Sequence, residues 1–515
     1  EAISADDPGT FVVNYRNEPI ALRVYDPATK SQAAGQAGDL AYAFSSLIPR
    51  AIPALNQPFT AYPPLTQGID PNDPATPLLR VYMGDKIRLR VQVGAHEEEH
   101  NFMIHGLKWK KEPLTGNSGW KDAEFMGISE YAIMEMPILP DIGISTPQKT
   151  DYLYTMGAQL EDYWNGIWGV MRAYNKSTPD LLALPNNPIG KTPFVITNEK
   201  AFNNICPLTA PLTKLKVTAV RAADVLPGGT LVYNDRATTL TGPIAFDPIT
   251  GEPTQFGPVG NGPLNDPSAL MYVRTEDLIV NTLGKPIGLR PGTPIEPLIL
   301  RARAGDCIQV TLTNALPASL TWTDPSGVVR PDMPGFSNLP GIVHKDFVVD
   351  PVFGSGIITF NNNDVTPSSV VGLHPQLLAY NVRQADGFAA GRNALTSVVV
   401  PGASKNYIWY AGDVDMVPDL STTDTTDFKL VATPVEYGAT GLLPADRIKG
   451  TGKGLVGALI VEPQGSSWVE DPGSRASATV TKADGSKFRD FVTILQNDVN
   501  MRLSSGCTPS LANLY

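Results

Sequence analysis

Two distant stretches of this chain share one alternation of apolar and polar residues, and each is entered through a Gly-Asp turn. In the first, Ile87, Leu89, Val91 and Val93 alternate with Arg88, Arg90 and Gln92 after Gly84-Asp85. In the second, Ile308, Val310 and Leu312 alternate with Gln309, Thr311 and Thr313 after Gly305-Asp306. A period of two belongs to a strand with one buried and one wet face, and Gly-Asp supplies the turn before it. Each copy also has a matching end, Trp164-Asn165-Gly166-Ile167-Trp168-Gly169-Val170-Met171 in one and Gly454-Leu455-Val456-Gly457-Ala458-Leu459-Ile460-Val461 in the other. The chain therefore carries an internal repeat whose unit is far longer than a solenoid's.

Between these landmarks, 46 glycines and 47 prolines among 515 residues break the sequence into short runs, which excludes a helical bundle. Tyr407-Ile408-Trp409-Tyr410 and Ser397-Val398-Val399-Val400 read as strands, and helix signals are few and short, for example Thr178 to Leu184 and the stretch around Asp446-Arg447-Ile448. The predicted fold is all-β, in tandem Greek-key sandwiches with long loop insertions. One unit is placed at residues 1–200, with a Pro-rich linker from Leu184 to Pro193. A second, with insertions, covers 201–470 and opens near Cys206-Pro207. A further, truncated unit starts at 486–515, entered by a strand at Asp490-Phe491-Val492-Thr493-Ile494-Leu495.

The net charge of −11 and pI of about 5.1, without any basic run, argue against nucleic acid or an anionic membrane surface as partner. No window approaches the ~18 consecutive apolar residues of a membrane helix, and Glu1 to Asp7 lacks the regions of a signal peptide, so the chain reads as soluble and either mature or a piece. Cys206, Cys307 and Cys507 form no CxxC and read as inert thiols, with a Cys206–Cys507 disulfide as the alternative in an exported protein.

The histidines are more informative. His96, His100 and His105 fall within ten residues, together with Glu97, Glu98, Glu99 and Met103, while His344 and His374 stand alone. Imidazole and thioether suit copper, and carboxylates suit harder ions such as Mn²⁺. In a regular strand His100 and His105 face opposite sides, so one ion would take His105 with His100 or His96 only if the loop at Glu97-Glu98-Glu99 folds back. The other reading of the same residues is a solvated acidic turn followed by a strand with one hydrogen-bonded histidine. Asp70 and Asp73 are either hard-cation ligands or turn residues, His344 reads as a surface or interface histidine, and Trp164 and Trp168 as core aromatics.

The order of residues around these histidines resembles that of the multicopper oxidases. His100-Asn101-Phe102-Met103-Ile104-His105-Gly106 resembles the H-P-x-H-x-H-G segment of that family's last domain, and Met156 to Ile167 lines up with its H-C-H-x-x-x-H-x-x-x-G-M motif. Gly372-Leu373-His374-Pro375-Gln376 is similar to the H-x-H motif of a first domain, and Trp409-Tyr410-Ala411-Gly412-Asp413 to its W-Y-H-S-H. Asp151-Tyr152-Leu153-Tyr154, Trp164 to Gly169 and Leu455 to Pro463 look like the large, many-domain bacterial members, the manganese-oxidising ones included. The resemblance implies cupredoxin domains, copper, an extracellular or periplasmic location, and other cupredoxin domains or chains of the same protein as partners. It also implies oxidation of a metal ion or small donor coupled to O₂ reduction.

Position by position, that ligand set is mostly replaced. At the blue-copper positions the chain has His100, Gly157 for the cysteine, Asp162 for the second histidine and Ile167 as the axial residue. The trinuclear positions hold Met103 and His105, Met156 and Ala158, His374 and Gln376, Ala411 and Asp413, so that two of about eight histidines remain. His96, His100, His105 and His374 are left as candidate metal ligands. The chain is thus expected to be a mostly structural segment of a large exported multicopper-oxidase-type protein, an oxidoreductase only if other domains supply the copper. The alternative is a non-enzymatic cupredoxin-like structural or metal-binding assembly protein. A blue-copper centre requires a thiolate. Copper-loaded chain should therefore show no intense thiolate-to-copper absorption band, and the appearance of one would overturn the assignment of Gly157 to the cysteine position.

Overall fold

A computed structural model of the chain describes residues 11–58, 69–94, 99–142, 149–157, 160–187, 195–236, 239–246, 253–261, 263–323, 329–331, 345–349, 357–361, 365–423, 427–496, 499 and 502–503. Among the described residues no helix exceeds the six residues of Leu160–Asn165, and none is long and apolar enough to cross a membrane. The fold class is the one the alternation predicts: all-β, in tandem sandwich units with long insertions.

The internal repeat is explicit in the strand order. In the first unit Leu79–Tyr82 runs parallel to Trp168–Tyr174, followed across the sheet by Lys149–Thr155, His100–Ile104 and Ala123–Met126. In the second, Leu298–Arg303 runs parallel to Gly457–Glu462, followed by Gly438–Leu443 and His374–Pro375. The alternating runs become Lys86–Gln92, paired antiparallel with Tyr131–Pro137, and Cys307–Asn314, paired antiparallel with Ser404–Tyr410. The second unit widens this sheet with Leu212–Arg221, Leu270–Arg274 and Ala379–Tyr380.

The two entry turns are bonded alike. Gly84 and Gly305 have φ of +89° and +88°, a conformation open to glycine at little cost. The Asp85 carboxylate accepts the Tyr82 N–H at 2.8 Å and the Asp306 carboxylate accepts the Arg303 N–H at 3.1 Å. Each glycine N–H donates at 2.7 Å to a carbonyl of the facing strand's end, Ile138 and Ala411. The apolar faces merge into one core that runs through both units, from Ile104, Met134 and Tyr154 to Val310, Leu373 and Trp409.

Several expectations need correction. The stretch from Thr178 to Leu184 is not a helix: Pro179 follows Thr178, Asp180 takes φ of +64°, and the backbone turns away. Around Asp446 the carboxylate does accept the N–H groups of Ile448 and Lys449, as a helix cap would, but Gly450, Gly452 and Gly454 stop the turn from propagating. Ser397 ends a 3₁₀ turn, and Val399 makes only a single bridge, to Val371. Asp490 and Phe491 close the strand Lys487–Phe491 in a three-stranded sheet with Ser467–Glu470 and Ser477–Thr481, while Val492 to Leu495 lie outside any strand. Cys206 is neither a free thiol nor paired with Cys507. Instead Cys206 is bonded to Cys307, with Cα atoms 5.6 Å apart, and Cys507 lies outside the described residues. Sequence could not choose this pairing because the sheet register that brings residue 307 beside Pro211, and hence near Cys206, is set by long-range strand contacts.

Asp70 and Asp73 close a turn, as expected, with the Asp70 N–H donating to the Asp73 carboxylate at 2.8 Å and the Asp73 N–H to the Asp70 carbonyl at 3.2 Å, and their carboxylates are also engaged by a buried cation. Arg172 has no solvent exposure, and each of its five N–H groups meets a carboxylate oxygen of Asp70, Asp73 or Asp151 at 2.7 to 3.0 Å. Burial opposes the charge, but Asp151 and Asp73 outweigh it and hold the guanidinium pKa above its ordinary value. Asp151 carries this network to the second unit, accepting the Arg392 N–H at 2.7 Å, and its own N–H donates to the Asn393 side chain at 3.1 Å. Removing the cation would strand the buried carboxylates of Asp73 and Asp151. Arg172→Met should lower the unfolding free energy by about 3–5 kcal/mol, read as a reduced midpoint in denaturant titration.

Candidate metal centre

His105 and His374 come from the two copies of the repeat. His105 directly follows the strand His100–Ile104, and His374 opens the strand that occupies the same place in the second unit's sheet. The fold turns these positions toward one another, and the two imidazole rings lie 4.0 Å apart, centroid to centroid, at 32°.

The third member is Asp386, just beyond the short helix Val382–Ala385, whose first turn is held by the Asn381 side chain accepting the Arg383 N–H at 3.1 Å. The Nδ1 of His105 lies 3.3 Å from Asp386 Oδ2, and the Nδ1 of His374 lies 3.0 Å from Oδ1. The Tyr380 hydroxyl donates to Oδ1 at 3.0 Å. Phe388 packs edge-on against both imidazoles. His105, His374 and Asp386 are all buried, and a donor atom from each falls within 4.8 Å of the others.

The electrostatics follow from this packing. Burial, and then the neighbouring His374, lower the His105 pKa to about 4, so the ring is neutral at neutral pH. Burial alone would raise Asp386, but His105 and His374 hold it well below the usual carboxylate range. An ionised carboxylate only accepts hydrogen bonds, so the two Nδ1 atoms facing it carry the hydrogens. For neutral His105 that assignment leaves the Nε2 lone pair unprotonated, the state in which imidazole binds a metal, with the carboxylate orienting the ring from behind.

The other candidate histidines are placed elsewhere. His100 does not join His105: its Nδ1 lies 2.9 Å from Asp162, and Phe11 meets its ring edge-on. His105 thus meets His374 and stands apart from His100. His96, Glu97, Glu98, Ala158 and His344 lie outside the described residues. Gly157 stands against the Tyr163 ring, where a Cβ would come within 2.5 Å of the ring carbons. A cysteine at that position would first have to displace a buried tyrosine. Trp164 and Trp168 are core aromatics, as expected, and the Trp168 indole N–H donates to the Glu18 carbonyl at 2.7 Å. Asp386 and Tyr380 gave no signal in the sequence, since 281 residues separate His105 from its carboxylate partner.

No family model matches this chain, and no curated protein does. Among solved structures, a multicopper oxidase from Aquifex aeolicus aligns with 19% identity over 20% of this chain and 22% of that chain, at a TM-score of 0.17. A copper nitrite reductase from Nitrosomonas europaea aligns with 10% identity over 75% of this chain and 82% of that chain, at a TM-score of 0.16. Neither match bears on the chemistry, which stands on the side chains themselves.

The neutral state of His105 has a consequence for stability. Its folded pKa of about 4 lies below the ordinary 6.5, so the unfolded chain binds the extra proton first. Metal-free protein should thus lose stability as pH falls from 6.5 toward 4, by about 3 kcal/mol from this group. The Asp386 contribution is present above the ordinary carboxylate range and is lost only at lower pH. Denaturant midpoints of chelator-treated wild type and His105→Gln, compared across this window, check the sign: the variant should show the shallower decline.

Proposed function

We propose that this chain is a cupredoxin-type structural segment of a larger, exported multicopper-oxidase-type protein, and that the contact between its two units keeps one reduced metal seat. The observation that carries this reading is the meeting of His105 and His374. They are the two histidines that the resemblance assigns to a shared copper cluster, they come from separate copies of the repeat, and their rings are 4.0 Å apart.

The full copper set does not fit. A blue-copper site has no thiolate and its cysteine position is closed by Tyr163, while Gln376, Ala411 and Asp413 offer no imidazole. A single first-row divalent ion does fit: His105 and His374 would supply nitrogen donors, with Asp386 as ligand or as the group that orients both rings. Such an ion would add Lewis acidity or a one-electron couple. The chain's own residues would exclude water through Phe388 and fix ring orientation through Asp386 and Tyr380. Oxidation of a metal ion or small donor with reduction of O₂ would belong to copper held by other domains. The Cys206–Cys307 bond supports an oxidising compartment, since such bonds persist outside the reducing cytosol.

A second reading is favoured by the hydrogen-bond distances, at which Asp386 is already satisfied by both imidazoles and a phenol: a metal-free latch between two sandwiches, in a non-enzymatic assembly protein. Metal analysis by mass spectrometry of chain equilibrated with Cu²⁺ separates the two. The metal seat predicts one ion per chain, lost in His105→Ala and in His374→Ala but retained in His100→Ala. Equal metal content in wild type and in both seat variants would leave only the latch.

A further inference from the structure

The contact between the units also holds a lysine that the metal reading leaves unused. Lys108 of the first unit is 10% exposed at its side chain, and its Nζ lies 3.3 Å from Asp413 Oδ1 of the second. The Trp120 and Tyr437 rings stand 5.8 and 5.9 Å from the same nitrogen. Lys108 faces a cavity of about 470 Å³, lined also by Lys110, Trp120, Tyr380 and Asp413 and so drawn from both units. A structural ion pair needs no such space, whereas a cavity of this size admits a small organic molecule. Burial lowers the Lys108 pKa against the opposing pull of Asp413 and Asp122, which enlarges the neutral, nucleophilic fraction of the amine.

We propose that Lys108 is a reversible covalent attachment point for a small carbonyl compound bearing a carboxylate, held in this cavity. The ammonium passes a proton to Asp413, and the nitrogen lone pair forms a bond to the carbonyl carbon as the C=O pair moves onto oxygen. Asp413 then relays protons from nitrogen to that oxygen. The C–O bond breaks, its pair leaves with water, and the nitrogen lone pair completes the C=N bond. Ammonium plus carbonyl gives iminium plus water, so nothing is oxidised or reduced. The positive charge remains beside Asp413 and between two aromatic rings. Lys110, whose Nζ lies 4.1 Å from the Trp120 ring centroid in the same cavity, is a cation available to the carboxylate. The attachment site does not depend on metal at His105 and His374.

The test treats the whole chain with glyoxylate and cyanoborohydride, which fixes the iminium as a carboxymethyl group, and locates tags by peptide mass spectrometry. Lys86 lines the same cavity with a 71% exposed side chain and serves as internal reference. Lys108 should be tagged faster than Lys86, because burial enlarges the neutral fraction of its amine. The preference for glyoxylate over acetaldehyde, normalised to Lys86, should be larger at Lys108 and should vanish in Lys110→Ala. An untagged Lys108, or one tagged no faster than Lys86, overturns the attachment site. A glyoxylate preference unchanged by Lys110→Ala overturns the carboxylate requirement.

Discussion

A carboxylate without solvent contact must either lose its charge or be fully bonded, and Asp386 meets this condition through hydrogens from two imidazoles and a phenol. One of those imidazoles belongs to the first repeat and the other to the second. The bonding of one buried anion therefore depends on the registration of two sandwiches, and the registration is rewarded only when the anion is bonded. Arg172 imposes the same condition with opposite sign, gathering three carboxylates of which Asp151 is tied to Arg392 and Asn393 across the units. Such buried polar groups contribute little net stability when complete and cost several kcal/mol when broken, so they fix how the units meet more than they strengthen it.

The all-β fold and its repeat were legible because strand alternation and the Gly-Asp turn are local properties. Gly84 and Gly305 announce a backbone that other residues resist, and Asp85 and Asp306 then bond the same turn N–H in both copies. The expected short helices fail for an equally local reason. Asp446 does cap a turn, but three glycines within eight residues of it remove the propagation that a helix needs. Ser397 to Val400 are apolar enough for a strand, yet a strand also requires a neighbour, and only Val371 is offered.

The site was half legible. His105 and His374 could be selected by family resemblance, but the distance between them could not, because it depends on how one sandwich packs against another. Asp386 has no motif around it, and its role exists only once both histidines arrive. The expectation that His105 would join His100 used proximity in sequence, which a strand converts into opposite faces. His100 instead found Asp162, the very residue that stands where a second imidazole was expected.

That last exchange has counterparts at other positions where the resemblance expects ligands. Gly157 has ceded its space to the Tyr163 ring, which packs in the same apolar cluster as Phe44 and Trp168. Asp413 pairs with Lys108. Deleting a ligand from a buried metal site would ordinarily leave a cavity or an unpaired polar group, each costing on the order of 1–3 kcal/mol. Three replacements at once would approach the whole stability of a domain. Here Gly157, Asp162 and Asp413 each have a partner that fills or bonds the position: Tyr163, His100 and Lys108. His105 and His374 stand apart from these pairs: both face the Asp386 carboxylate through Nδ1, and in neutral His105 that leaves the Nε2 lone pair without a proton.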